Sequence, residues 1–240
     1  YIDLLKADKP EERIYLEHAK VAELGFRFQE KGSTVGFVYQ MAPRLDEYPA
    51  QDLLVAPYLM EGFDAALISK SLGFLRKDNV FMEISAPDLK TDHVEPWFNV
   101  PYALNVGEIE TVGFNSATLN LPPPNPYLPN NLNLLPVDNK GINRVTDKPE
   151  LQVWLDTDVT FGTPRANTSI LLLTDGGLSG LKDRSYAELY CRLVNDTLST
   201  TVYPAYLAGL GYGLGSNEAG FSISLNGYQD KQMQLLDTVI

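Results

Sequence analysis

The sequence predicts an α+β fold: two α+β units with mainly antiparallel sheets covered by helices, joined by a proline-rich strap. Three observations carry this. The first hundred residues show helical apolar spacing and then an alternating stretch. Composition changes abruptly at Leu121-Pro-Pro-Pro-Asn-Pro-Tyr-Leu-Pro-Asn-Asn131, where five prolines exclude helix and central strand. Beyond it the pattern runs strand pair, strand, helices, strand, helix, an order that suits a sheet covered on one side. The predicted division is 1–115, a strap at 116–131, and 132–240, with the last unit truncated at its C-terminus.

The elements follow in order. Pro10-Glu-Glu opens a helix with Asp8 as its cap. Ile14, Leu16, Val21, Leu24, Phe26 and Phe28 give it an apolar face as far as about Gln29. A second helix is predicted over Thr34 to Leu45, with Pro43 weakening its end. Another begins at Pro49-Ala-Gln-Asp-Leu-Leu, and a further one covers Asp64 to Leu75. Asn79-Val-Phe-Met-Glu-Ile-Ser85 alternates as a strand does.

After the strap, Leu132-Asn-Leu-Leu-Pro136 and Glu150-Leu-Gln-Val-Trp-Leu-Asp156 are predicted strands around a polar loop containing Asn139-Lys-Gly. Ala166 to Thr174 reads as a strand buried on part of both faces. Two helices are expected, near Asp183 to Leu198 and Ser199 to Gly209, with Pro204 tolerated in a first turn. Ala219 to Tyr228 is a strand, and a helix starts near Lys231.

The 240 residues suffice for a buried core, and 44% hydrophobic with 21% charged residues is ordinary for a globular chain. The formal net charge is -12, spread along the chain, and Arg76-Lys77 is the nearest approach to a basic cluster. Nucleic acid is therefore disfavoured as a partner. No apolar run approaches the roughly 20 residues that span a bilayer, so no membrane partner is expected. The start at Tyr1 and the helical pattern at Val239-Ile240 suggest a piece of something longer.

Searches for chemistry come back negative. Cys191 is the single cysteine, which excludes an internal disulfide and an in-chain thiolate zinc site. Between Tyr190 and Arg192 on a helical stretch, it reads as a packed, inert thiol. An inverted zinc-protease motif needs two histidines one helical turn apart with a glutamate beside the second. Ile14-Tyr15-Leu16-Glu17-His18 supplies only the Glu-His half, because Ile14 stands where the first histidine belongs. His93-Val-Glu95-Pro96 mimics a zinc-deaminase start, which also requires Cys-x-x-Cys. Ser216 after Gly215 lacks the rest of a nucleophile elbow.

Gly209-Leu-Gly-Tyr-Gly-Leu-Gly215 follows a helix and lacks the phosphate-cradle spacing; close helix contact followed by a flexible turn explains it. Asp156 with Asp158, and Asp46 with Glu47, read as solvated charges. Trp97, Phe98, Tyr102 and Tyr127 read as interdomain packing. No catalytic, cofactor-binding or metal residue is assigned.

Several stretches, in order, resemble the pitrilysin/insulysin family of zinc metallopeptidases. They include Ala22-Glu-Leu-Gly-Phe-Arg-Phe-Gln-Glu-Lys31, Tyr48-Pro-Ala-Gln-Asp-Leu-Leu54, Tyr58-Leu-Met-Glu-Gly-Phe63 and Leu75-Arg-Lys-Asp-Asn-Val80. Thr91-Asp92, Glu95-Pro-Trp-Phe98, Pro101-Tyr102, the strap, Leu151-Gln-Val-Trp-Leu-Asp-Thr-Asp158 and Phe161-Gly-Thr-Pro-Arg-Ala166 continue the likeness. Tyr203-Pro-Ala-Tyr-Leu-Ala-Gly-Leu210 and Gly220-Phe-Ser-Ile-Ser-Leu-Asn-Gly-Tyr-Gln-Asp-Lys-Gln232 complete it.

The resemblance implies four related α+β domains around a chamber, with zinc in the first. It places this chain at the end of the second domain and most of the third. The implied role is a non-catalytic central segment of a zinc-dependent metalloendopeptidase, scaffold and chamber wall. Its partners would be the remaining domains and the parent's peptide substrates. The alternative is a stand-alone binding module of the same descent. The implied location is periplasmic or otherwise exported in a bacterium, with the cytoplasm as alternative.

Overall fold

In the computed structural model, residues 1–107, 119–136 and 141–240 are described. The end of the first predicted unit with the start of the strap (108–118), and Asn139 and Lys140 of the polar loop, lie outside them. The elements are α1 (Ile2–Ala7), α2 (Glu12–Arg27), α3 (Thr34–Glu47), a 3-10 turn (Ala56–Tyr58), α4 (Ala65–Gly73), β1 (His93–Val94) and β2 (Pro101–Tyr102). They continue with β3 (Gly141–Lys148), β4 (Leu151–Thr157), β5 (Arg165–Leu173), α5 (Leu181–Leu207), β6 (Gly211–Asn217), β7 (Gly220–Tyr228) and α6 (Gln229–Val239). Helices and small antiparallel sheets make this an α+β chain, as expected.

Contacts divide it into two compact units: Tyr1–Glu12 with Gly62–Pro122, and Arg13–Glu61 with Pro123–Ile240. Residues 13–61 thus share a unit with those beyond Pro122. In the first unit α1 packs on α4, whose start is capped by the Asp64 carboxylate accepting from the Leu67 N–H. β1 and β2 pair antiparallel, and the His93 ring stacks on Tyr102. Asp8 proves to be the C-cap of α1, an element that the sequence reading missed.

Among the described residues, the buried hydrophobic ones all belong to the second unit. Its centre is an antiparallel sheet of order β5-β7-β6. α5 and α6 pack against it, and Tyr127, Ala205, Ala208, Leu210, Leu225 and Leu235 form the core. Each large side chain buried there contributes about 2 kcal/mol. The opposite sheet face carries exposed Asn167, Ser169, Ser224 and Asn226, which are cross-strand partners. β3 and β4 form a separate hairpin with a register shift between Arg144 and Thr146.

Part of the strap is built into this unit. The Tyr127 hydroxyl bonds Thr238, Asn125 donates to the Pro204 carbonyl, and Asp230 accepts from the Asn130 and Asn131 N–H groups. Pro129 is fully buried.

Several predicted elements differ. Asn79–Ser85 and Leu132–Pro136 are not strands; alternation alone supplies no ladder partner, and β4 pairs with Gly141–Lys148 instead. Residues 49–55 form turns ahead of the 3-10 segment rather than an α-helix. The two helices expected over 183–209 are one, because Pro204 sits in the last turn of α5, where only the Thr200 carbonyl loses a partner. β5 alternates between exposed and half-buried, since as an outer strand it lacks a layer on its far face.

Candidate functional site

The residues singled out for chemistry lie apart from any recognisable constellation. His18 is exposed on α2, while Glu17 accepts from Arg13 at 3.2 Å and from the Asn125 N–H. His93 bonds Asp92 at 2.6 Å, and the Glu95 carboxylate caps the following turn through the Trp97 and Phe98 N–H groups. Trp97 and Phe98 are 85% and 84% exposed, whereas Tyr127 belongs to the core of the second unit. Asp46, Glu47 and Asp156 are exposed. The Thr160 hydroxyl and N–H hold the Asp158 carboxyl below its usual range. Among the described residues no group of three His, Cys, Asp or Glu could hold a metal.

The most structured surface feature is the seam between α5 and β6. α5 buries Ala187, Cys191 and Ala205, small side chains that bring its axis close to the sheet. The chain leaves α5 through Gly209 at φ +80° and enters β6 directly. The expected flexible turn at Gly209–Gly215 is thus a strand. Its alternate glycines, 211, 213 and 215, face Asn226, Ser224 and Ser222; Tyr212, Leu214 and Ser216 occupy the other face. The period-two glycine spacing was the signal that could have revealed it.

Along the seam the Asn195 side-chain amide donates to the Leu214 carbonyl at 3.0 Å. Cys191 is buried against Ser216; burial pushes its thiol above the ordinary value, and the hydrogen bond from Ser216 only partly opposes this. Arg184 donates to Glu218 at 2.6 Å, and Arg192 to Glu188 at 2.7 Å. Two hollows flank the seam, of about 590 Å³ around Cys191, Asn195 and Ser216, and about 510 Å³ around Tyr203, Tyr206 and Tyr212. These groups can hydrogen-bond and pack. They set no base beside a nucleophile, and a neutral buried thiol is a poor nucleophile.

The second unit is thus an antiparallel sheet carrying two helices. The structure of pitrilysin superposes with a TM-score of 0.73 at 20% identity, covering 100% of this chain and 26% of that one. The profile described as the middle or third domain of peptidase M16 matches residues 26–240, so the chain belongs to that family as its middle domain. The match includes residues 26–115, the part allotted from sequence to the second domain. Insulin-degrading enzyme of Homo sapiens is 31% identical over 250 residues, covering 100% of this chain and 24% of that protein. Insulin-degrading enzyme-like 1, peroxisomal, of Arabidopsis thaliana is 29% identical, covering 100% and 26%.

The chain thus spans about a quarter of the relatives it matches. These relatives are an animal and a plant protein, and they lend no support to a bacterial periplasmic location. No described helix is long and apolar enough to cross a membrane. α5 contains no histidine, and the seam carboxylates Glu218 and Glu188 pair with Arg184 and Arg192.

Proposed function

We propose that this chain is a non-catalytic central segment of a zinc-dependent metalloendopeptidase, serving as scaffold and as wall of a peptide-degrading chamber. Its family membership over residues 26–240 is the observation that carries the reading. The domain plan proposed with it assigns 1–115 to the second domain, 116–131 to the link, and 132–240 to the third. The partners are the remaining domains of the parent and the peptides it cuts. Zinc belongs to the parent's first domain, outside this chain.

Large apolar side chains at the surface support a scaffold role. Trp97 and Phe98, neighbours in the chain, are 85% and 84% exposed, and an exposed aromatic pair of this kind suits contact with further protein.

The test incubates the chain with quenched fluorescent peptides, with and without zinc and a chelator, and measures bound metal in the same sample. No cleavage and no bound metal is expected. Chelator-sensitive cleavage with one zinc per chain would overturn the reading.

A further inference from the structure

We propose that the free edge of β6, walled by α5, is a docking site for an extended peptide with an apolar centre and basic flanks, which adds to the sheet as a fourth strand.

The backbone phase of β6 sets out the edge. β6 and β7 are joined by the two-residue turn Glu218-Ala219, closed by the pair Asn217 and Gly220. In such hairpins the closing pair exchanges hydrogen bonds, and bonded pairs then alternate with non-bonded ones. Gly215, Gly213 and Gly211 therefore bond to β7, whereas Ser216, Leu214 and Tyr212 turn their N–H and C=O groups outward. The bond from Asn195 to the Leu214 carbonyl confirms this phase, because that oxygen is reached from α5 rather than from β7. The outward groups of Tyr212 and Ser216 and the Leu214 N–H have no hydrogen-bond partner among the described residues.

An open edge of this kind templates another strand. A helix lying alongside it supplies a wall against which alternate side chains of the incoming strand can pack. α5 is that wall, and the two hollows lie at the two ends of the seam it makes with β6. One is lined by charged side chains already paired with each other, Arg184 with Glu218 and Arg192 with Glu188, so it requires no ionic ligand. The other is lined mainly by apolar side chains, Tyr203, Tyr206, Leu210 and Tyr212 among them, with Ser224 and Asn226 at its polar side, and suits a bulky apolar side chain. The net charge of -12 disfavours acidic peptides and attracts basic flanks. Asn195 guards the edge by occupying one acceptor. Docking at this edge requires neither zinc nor the rest of a peptidase, so it stands or falls separately from the scaffold reading.

The probe is a fluorescein-labelled peptide of alternating valine and threonine with lysines at both ends, followed by anisotropy. Its counterpart is N-methylated at every second residue, which removes the donors of one edge. The unmodified peptide should bind saturably, and the methylated one at least about tenfold more weakly. Asn195→Ala should tighten binding by freeing the Leu214 carbonyl. Ser216→Pro should bind about tenfold more weakly than Ser216→Ala, since both lack the hydroxyl and only proline removes the outward N–H. Hydrogen exchange checks that each variant is folded, and bound peptide should slow exchange at Tyr212, Leu214 and Ser216. Equal binding of both peptides, no saturable binding, protection confined to other residues, or pairing of two copies through β6 would each overturn the proposal.

Discussion

The Asp230 carboxylate accepts the Asn130 N–H at 2.9 Å and the Asn131 N–H at 3.2 Å, joining the first turn of α6 to the end of the proline-rich strap. These donors hold its pKa below the usual carboxylate range, the Asn130 N–H foremost, with desolvation opposing. A lowered folded-state pKa contributes stability that is fully present above the unfolded value, about 3.9. That contribution is lost as pH falls through the folded value. Asp230→Asn should therefore lower the unfolding free energy from urea titration at pH 7, by about 0.5 kcal/mol once solvent screening is allowed for, and the gap to wild type should close as pH falls below the carboxylate range. A gap unchanged at low pH would show that the carboxylate charge is not the cause.

Gln232 is 4% exposed on α6 and ties two strands together. It accepts from the Thr168 hydroxyl at 2.8 Å and donates to the carbonyls of Ala166 and Gly227. Gln232→Leu keeps the volume but strands the Thr168 hydroxyl and takes one of two donors from the Ala166 and Gly227 carbonyls, which keep their strand partners. The expected loss is about 2–3 kcal/mol in chemical denaturation. A loss below roughly 0.5 kcal/mol would mean that these groups find water instead.

Gly227 has φ +113°, and a side chain there would run into the Gly209 carbonyl oxygen. Gly227→Ala should destabilise by about 3 kcal/mol or more, through strain and displaced backbone together. A thermal melt of the purified variant against wild type measures it. An unchanged melting temperature would show that the junction between α5 and β6 can shift freely.

Cys191 is 4% exposed, and burial raises its thiol pKa. Iodoacetamide should alkylate it far more slowly in the folded chain than in urea, with the folded rate still rising at pH values where an exposed thiol has levelled off. Mass spectrometry against time gives both rates. Equal rates in the two states would mean that the seam opens readily.

Where local chemistry and packing demand the same thing, the sequence alone was sufficient. Thr34–Glu47 carries a Ser33 cap, and helix formed there even around Pro43. Gly220–Tyr228 alternates buried Ile223 and Leu225 with exposed Ser224 and Asn226, a pattern that leaves one face for a core. The α+β class and the family likeness were likewise legible, because both rest on the order of such stretches.

Tertiary structure decided whatever depends on a partner remote in sequence. Asn79–Ser85 alternates well but has no ladder partner among the described residues, and it is exposed. Gly211–Asn217 has the composition of a turn and becomes a strand because β7 supplies its ladder and α5 covers its apolar side. The break expected near Leu198-Ser199 disappears because α5 runs unbroken along the sheet, with Pro204 placed where it costs least. The seam between α5 and β6 was invisible in the sequence for the same reason: Asn195 and Leu214 acquire meaning only once a helix and a strand edge are brought together.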